Sequence, residues 1–232
     1  MSREVTSSGI PSLDKIIGGG FNRGDAILVA GQPGAGKSTL GAQFIYNGAK
    51  HYSEPGVYVT FVEPSTKLKR DMLQFHWDFN MLEQEGKATV IDLVQMIGEK
   101  AVYVNLDAMM TAIHSLGAKR LVIDSLSALM AFIHTKSEAR SLIGTLTKFL
   151  ENSKCTTLLI QEVPWGVKQI GMGFEEFMTD GLIVLESSLE QLQIRRRLYI
   201  PKMRGTNHAL NCYDFYITPE GISISNAPAR EP

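Results

Sequence analysis

Cysteine is scarce in this 232-residue chain: only Cys155 and Cys212 are present, far apart in sequence. Two distant thiols exclude a disulfide framework and fit free cysteines in a reducing compartment. No apolar run approaches the ~20 residues that a membrane span needs; the longest are strand-sized, such as residues 26–30 and 182–185. Neither sign of charge dominates. Lys plus Arg number 23 against 24 for Asp plus Glu, so no global field draws the chain to nucleic acid or an anionic bilayer. Internal repeats, low-complexity tracts and Pro/Gly/Ser-rich linkers are absent too. The N-terminal stretch Ser2-Arg3-Glu4-Val5-Thr6-Ser7-Ser8 is polar, which argues against a signal peptide. What is present is 44% hydrophobic and 20% charged residues, enough to bury a sizeable core and to exclude a disordered or fibrous chain. The expectation is a cytoplasmic globule without a membrane partner.

Short apolar strands alternate with longer segments of helical spacing, which predicts βαβ units and a mainly parallel sheet. Strands are expected at 26–30, 57–62, 88–92, 120–124 and 156–160. A helix is expected from about 37 to 52, with Leu40, Phe44, Ile45 and Ala49 on one face, and another near 138–152. Leu68, Met72, Leu73 and Phe75 suit a further helix, as do Leu106, Met109, Met110, Ile113 and Leu116. From Gly181 the texture changes: 181–186, 195–203, 213–218 and 221–225 read as an antiparallel tail completing the same sheet. The chain is thus expected to be one α/β domain over 1–232, its core about 9–186 and its β extension about 187–226.

The strongest local signal is Gly31-Gln32-Pro33-Gly34-Ala35-Gly36-Lys37-Ser38, followed by Thr39. It fits Gly, four residues, Gly-Lys-Ser, the signature of a phosphate loop. Glycines let consecutive backbone N–H groups converge on phosphate oxygens. The helix beginning near Lys37 adds the positive end of its dipole. Lys37 reaches the β- and γ-phosphates, and the Ser38 hydroxyl ligates Mg²⁺. With Gly at ~7% of residues, chance alone gives such a match in roughly 1% of chains this long. A buried strand before the loop and a helix after it lower that further. The expected ligands are ATP and Mg²⁺.

Such a site needs a carboxylate at the end of a neighbouring strand, and Leu121-Val122-Ile123-Asp124-Ser125 supplies Asp124. Asp92 has a similar setting but no second feature, and reads as a turn residue. Hydrolysis also needs a group to orient or deprotonate water. Glu63, past the strand at 57–62, is the candidate; its alternative is a helix N-terminal charge before Pro64-Ser65-Thr66. Gln161, ending the strand at 156–160, is a candidate γ-phosphate sensor or a satisfied surface amide.

At this point the chain resembles a single KaiC-type domain of the RecA-like ATPases, close to the one-domain KaiC-like proteins of archaea. The resemblance runs over nearly the whole length. It begins with Ser8-Gly9-Ile10-Pro11-Ser12-Leu13-Asp14 and Gly19-Gly20-Phe21, and continues through the phosphate loop, Val57-Tyr58-Val59-Thr60-Phe61, and Phe75-His76-Trp77-Asp78. Arg120-Leu121-Val122-Ile123-Asp124-Ser125 follows, then Gly173-Phe174-Glu175-Glu176-Phe177 with Asp180. The most diagnostic element is Lys202-Met203-Arg204-Gly205-Thr206-Asn207-His208. The resemblance implies a RecA-like P-loop core, rings that are commonly hexameric, and ATP at the subunit interface. It assigns Lys202 and Arg204 to the γ-phosphate of the adjacent subunit, where two cations in trans would act as an arginine finger does. From Arg195 to His208 there are five Lys/Arg and no acids, an excess that otherwise reads as a solvated basic hairpin or a nucleic-acid patch.

One departure bears on chemistry. The family usually ends the second strand with two adjacent glutamates, and here the pair is Val62-Glu63. Water activation is the function this change touches. The leading expectation is therefore a slow Mg·ATPase whose nucleotide state controls ring assembly or an unidentified protein partner. The alternatives are a non-hydrolysing ATP-binding scaffold and a DNA-handling recombinase paralogue. The last draws on Arg195-Arg196-Arg197 and the loop 166–173, flanked by Trp165 and Phe174, but lacks the aromatic content of a single-strand binder.

Overall fold

The fold is seen in a computed structural model, which describes residues 4–93, 99–130, 135–167, 169–170 and 175–229. Eleven strands are described: β1 (Val5–Thr6), β2 (Phe21–Asn22), β3 (Ala26–Gly31), β4 (Gly56–Thr60), β5 (Ala88–Asp92), β6 (Arg120–Asp124), β7 (Thr156–Glu162), β8 (Gly181–Glu190), β9 (Gln193–Met203), β10 (Tyr213–Thr218) and β11 (Gly221–Ile224). β1 and β2 form a small antiparallel pair, and the other nine form one sheet in the order β11-β10-β9-β8-β3-β7-β6-β4-β5.

From β8 to β5 every pairing is parallel, and from β8 to β11 every pairing is antiparallel. β8 is the seam. Residues 181–186 open the antiparallel tail toward β9, as expected, and on their other edge pair in parallel with β3. A strand lying between the two regimes has an apolar run suited to either, so its texture does not choose.

Parallel strands are covered on both faces and read as continuous apolar runs. β3, β4 and β6 are buried throughout. Alternate residues divide between two cores. Ile27, Val29, Tyr58, Val122, Leu158 and Ile160 face α2 (Lys37–His51) and the aromatic group Tyr46, Phe75, Trp77 and Phe79. Leu28, Ala30, Val57, Val59, Leu121, Ile123 and Leu159 face α5 (Glu99–Leu116), α6 (Leu126–Met130) and α7 (Lys136–Ser153). The short helices are α1 (Pro11–Ile16), α3 (Ser65–Met72), α4 (Phe79–Gln84) and α8 (Glu175–Met178). Phe75, expected in a helix with Leu68 and Met72, lies in a 3₁₀ turn that follows α3. Among the described residues no helix is long and apolar enough to cross a membrane.

A charged side chain is buried against the first core. Arg120 is 0% exposed and reaches back under α2, its guanidinium donating to both Glu54 Oε2 (2.6 and 2.9 Å) and the Phe44 carbonyl (2.9 Å). It also lies 4.5 Å from the Phe44 ring centroid.

Candidate functional site

Because β3, β7, β6 and β4 run parallel, their C-terminal ends meet along one edge of the sheet, where open α/β sheets place their ligands. Register sets the neighbours. Gly31 stands beside Glu162, Ala30 beside Gln161, and Asp124 between Thr60 and Ile160. The loop between β3 and α2 therefore opens directly against the carboxylate ending β6.

The loop carries two left-handed glycines, Gly34 (φ 78°) and Gly36 (φ 98°). Gly36 is the N-cap of α2 and offers no side-chain cap, so the first N–H groups of a 15-residue helix are left to a ligand. Gly34 and Pro33 are exposed, whereas Ala35 is buried. Gln32 is committed twice: its side-chain oxygen accepts the Ser187 N–H (3.1 Å) and its carbonyl accepts Lys37 Nζ (2.9 Å). Burial lowers the Lys37 pKa, with Glu162 and Asp124 opposing. Thr39 follows on the first turn, half-buried.

Ser38 Oγ donates to Asp124 Oδ2 at 2.7 Å, and the Tyr58 hydroxyl donates to the same oxygen at 2.6 Å. Burial raises the Asp124 pKa, while these two donors and the Lys37 charge pull it back. Burial likewise holds the Tyr58 phenol well above its ordinary range. Glu63 is close enough to push the Asp124 pKa upward as a like charge, so five of these side chains share one electrostatic environment.

The second strand is shorter than its apolar run suggests. β4 ends at Thr60, and Phe61, Val62 and Glu63 form a bend in which Thr60 Oγ1 donates to the Glu63 carbonyl (2.8 Å). Val62 is 58% exposed, so this bend, not the strand, presents Glu63. The Glu63 carboxylate is paired with Lys67 one turn into α3. Asp92 accepts the Ser65 N–H at 2.9 Å, which holds its carboxyl below the usual range and caps α3.

Gln161 is buried rather than a surface amide. Its Nε2 donates to Ser127 Oγ (2.9 Å) and the Glu162 carbonyl (3.2 Å), while its Oε1 has no protein partner. Ser127 Oγ also accepts the Glu162 N–H at 2.8 Å, tying the end of β7 to the start of α6.

Lys202 and Arg204 are not at this edge. Lys202 stands beside Leu182 at the start of β8, and the Arg204 N–H donates to the Asp180 carbonyl (2.8 Å). Leu185, beside Gly31, is five residues from Asp180, or about 16 Å along an extended chain. The two cations therefore sit at the opposite end of the sheet from their own phosphate loop. Lys202 Nζ donates to the carbonyls of Glu176 and Thr179, and Arg204 approaches Asp180 at 3.6 Å.

The basic run is less free than its sequence implies. Arg197 pairs with Glu190 (2.7 Å) and Asp214 (3.4 Å), and Arg195 approaches the same two acids at 3.7 and 3.8 Å. Both acids lie outside the 195–208 window, on strands that flank β9. Arg196 turns the other way, its Nε 3.4 Å from the Gly34 carbonyl. Of the loop 166–173, residues 168 and 171–173 lie outside the described residues, as does Phe174.

Tyr58, Ser127 and Glu162 are site neighbours that sequence patterns do not select, and Arg196 is legible there only as part of the basic run. Tyr58 carries a signal of its own, a phenol hydroxyl in a strand buried throughout.

The residues fit the ligand the loop implies. The Ser38 hydroxyl and Asp124 carboxylate are hard oxygen donors of the kind Mg²⁺ takes. A side chain added at Gly34 would meet nothing within 4 Å, which leaves the loop open above its backbone.

Comparison with known proteins gives a consistent picture. A family profile described as ATPase: KaiC matches residues 6–229. The UPF0273 protein of Methanocaldococcus jannaschii is 35% identical over 94% of this chain and 94% of its own length. The circadian clock oscillator protein KaiC of Acaryochloris marina is 33% identical over 93% of this chain, which corresponds to 42% of that longer protein. Among solved structures, a KaiC-like protein from Pyrococcus horikoshii superposes with a TM-score of 0.88 at 37% identity, covering 97% of this chain and all of that one.

Proposed function

The chain belongs to the KaiC ATPase family, and from that premise we propose that it binds Mg·ATP, hydrolyses it slowly, and uses its nucleotide state to control assembly of a ring, commonly a hexamer. All 232 residues act as one KaiC-type unit. The observation that carries this reading is the convergence of Lys37, Ser38 and Asp124 at the mouth of the loop, with the 2.7 Å Ser38–Asp124 hydrogen bond at its centre. Backbone N–H groups of Gly34 and of Gly36 to Thr39 bind the phosphates, and Lys37 leaves the Gln32 carbonyl for the β- and γ-oxygens. Ser38 and Asp124 would hold Mg²⁺, and the cation would supply positive charge against the phosphates. Glu63 orients the attacking water, with Gln161 beside the γ-phosphate. Lys202 and Arg204 serve a neighbouring copy, since they lie far from their own loop.

Arg204 is the cleaner probe of that arrangement, because its side chain is exposed while Lys202 is bonded internally. Light scattering should show Mg·ATP driving wild type toward a ring, and Arg204→Ala should weaken that shift. A monomer at every protein concentration would contradict the interface model.

The second reading, a scaffold that binds ATP without turning it over, is favoured by the Glu63–Lys67 ion pair and by Val62 standing where the family carries its first glutamate. Turnover assays separate the two. Help from a general base is worth ~10²–10⁴-fold. Glu63→Gln should therefore lower the residual rate at least tenfold while leaving ATP affinity intact. Val62→Glu, at an exposed position where substitution costs little stability, should raise it. Equal rates in wild type and Glu63→Gln would assign Glu63 to structure and select the scaffold.

A further inference from the structure

One polar group in the first core is explained neither by the phosphate loop nor by the strand that carries it. Tyr58 is 0% exposed at the middle of β4, between α2 and the sheet. A phenylalanine would fill the same space without a hydroxyl to satisfy, since a buried phenol must find a partner. Its partner is Asp124 Oδ2, at 2.6 Å.

The helix makes room for this ring. A Cβ at Gly41 would stand 3.3 Å from Tyr58 Cε2 and 3.0 Å from Val122 Cγ1. Glycine inside a helix is less favourable than alanine. Gly41 is three residues after Ser38, so it lies on the same face one turn along. The element that presents Ser38 to Asp124 is thus thinned where the Tyr58 ring passes beneath it.

Building on the Mg·ATP reading, we propose that Tyr58 is a positioning residue for the cation site, acting through Asp124. Ser38 and Tyr58 converge on Oδ2, which fixes the rotation of the carboxylate and reserves Oδ1 for the water shell of a cation. Tyr58 itself touches neither cation nor nucleotide. Partners that orient a metal-binding carboxylate in this way typically govern 10–100-fold in metal affinity.

The test uses the full chain, a fluorescent ATP analogue and a Mg²⁺ titration. Tyr58→Phe keeps the ring and removes only the hydroxyl. Its affinity for the analogue in EDTA should match wild type, and so should its unfolding midpoint to within a small shift. The Mg²⁺ concentration giving half of the metal-dependent gain in binding should rise roughly tenfold. An unchanged half-saturation with a folded variant overturns the proposal. Should that variant not fold, Gly41→Ala crowds the ring without altering any polar atom: a raised half-saturation supports the role, and an unchanged one overturns it. A wild-type chain that binds the analogue with no gain from Mg²⁺ would sink the Mg·ATP reading itself, and this inference with it.

Discussion

Lys37→Ala should abolish nucleotide binding while the chain stays folded. Lys37 is buried at the base of the loop, and its one described hydrogen bond is to the Gln32 carbonyl. That bond is local to the loop, so its loss should leave the unfolding transition almost in place. Binding is another matter. A lysine engaging both β- and γ-phosphates makes two charge-assisted hydrogen bonds, each worth about 1.5–3 kcal/mol. Their sum corresponds to roughly 10²–10⁴ in affinity. Isothermal titration with ATP and Mg²⁺ reads this directly. A folded Lys37→Ala chain with wild-type affinity would remove the phosphate loop from the site, and no reading built on it would survive.

The largest effect on stability should come from Glu54→Ala. Glu54 is the counter-charge of Arg120, whose guanidinium has no exposure at all. Burial already presses the Arg120 pKa downward, and Glu54 is the leading opposing influence. Removing one partner of a buried pair strands the other charge, which costs about 3–5 kcal/mol. Domains are stable by about 5–15 kcal/mol in total, so the urea midpoint should fall steeply with little change in slope. Pairing Glu54→Ala with Arg120→Met should recover most of the loss, since no charge then remains to be solvated. A single-variant loss below about 1 kcal/mol would mean that Arg120 reaches water by another route.

Much of the architecture was legible because its cues are local. The loop 31–38 announces itself by spacing, β5 and β10 begin and end where their apolar runs do, and Asp124 closes a strand as expected. The errors arise where the deciding partner lies far away in sequence. The run 57–62 is apolar through Val62, yet β4 stops at Thr60 because the Thr60 hydroxyl turns onto Glu63. β8 reads as the start of the antiparallel tail, which its pairing with β9 bears out, but nothing in its own residues records that β3 lies beside it in parallel. The arginines of β9 read as unanswered in sequence because Glu190 and Asp214 arrive from either side of the segment. Tyr58 was passed over because a buried strand tolerates tyrosine, and its meaning appears only once Asp124 and Gly41 surround it. Gln161 was placed at the right edge of the sheet, but its hold on Ser127 depends on the first turn of α6.

Helix α2 has one more property that follows from its surroundings. It contains Gly41 and Gly48, and the second leaves space for Arg120, whose Nε would lie 2.2 Å from a Cβ there. On intrinsic preference such a helix is weak. Its side chain Gln43 accepts the Ile222 N–H at 2.7 Å, a link spanning 179 residues. The helix behind the phosphate loop is therefore braced by β11, a strand that comes far later in the sequence. During vectorial synthesis the phosphate loop is made well before the strand that supports its helix. Contacts of such long range delay completion. The wall behind the loop is thus complete only once β11 has docked onto α2.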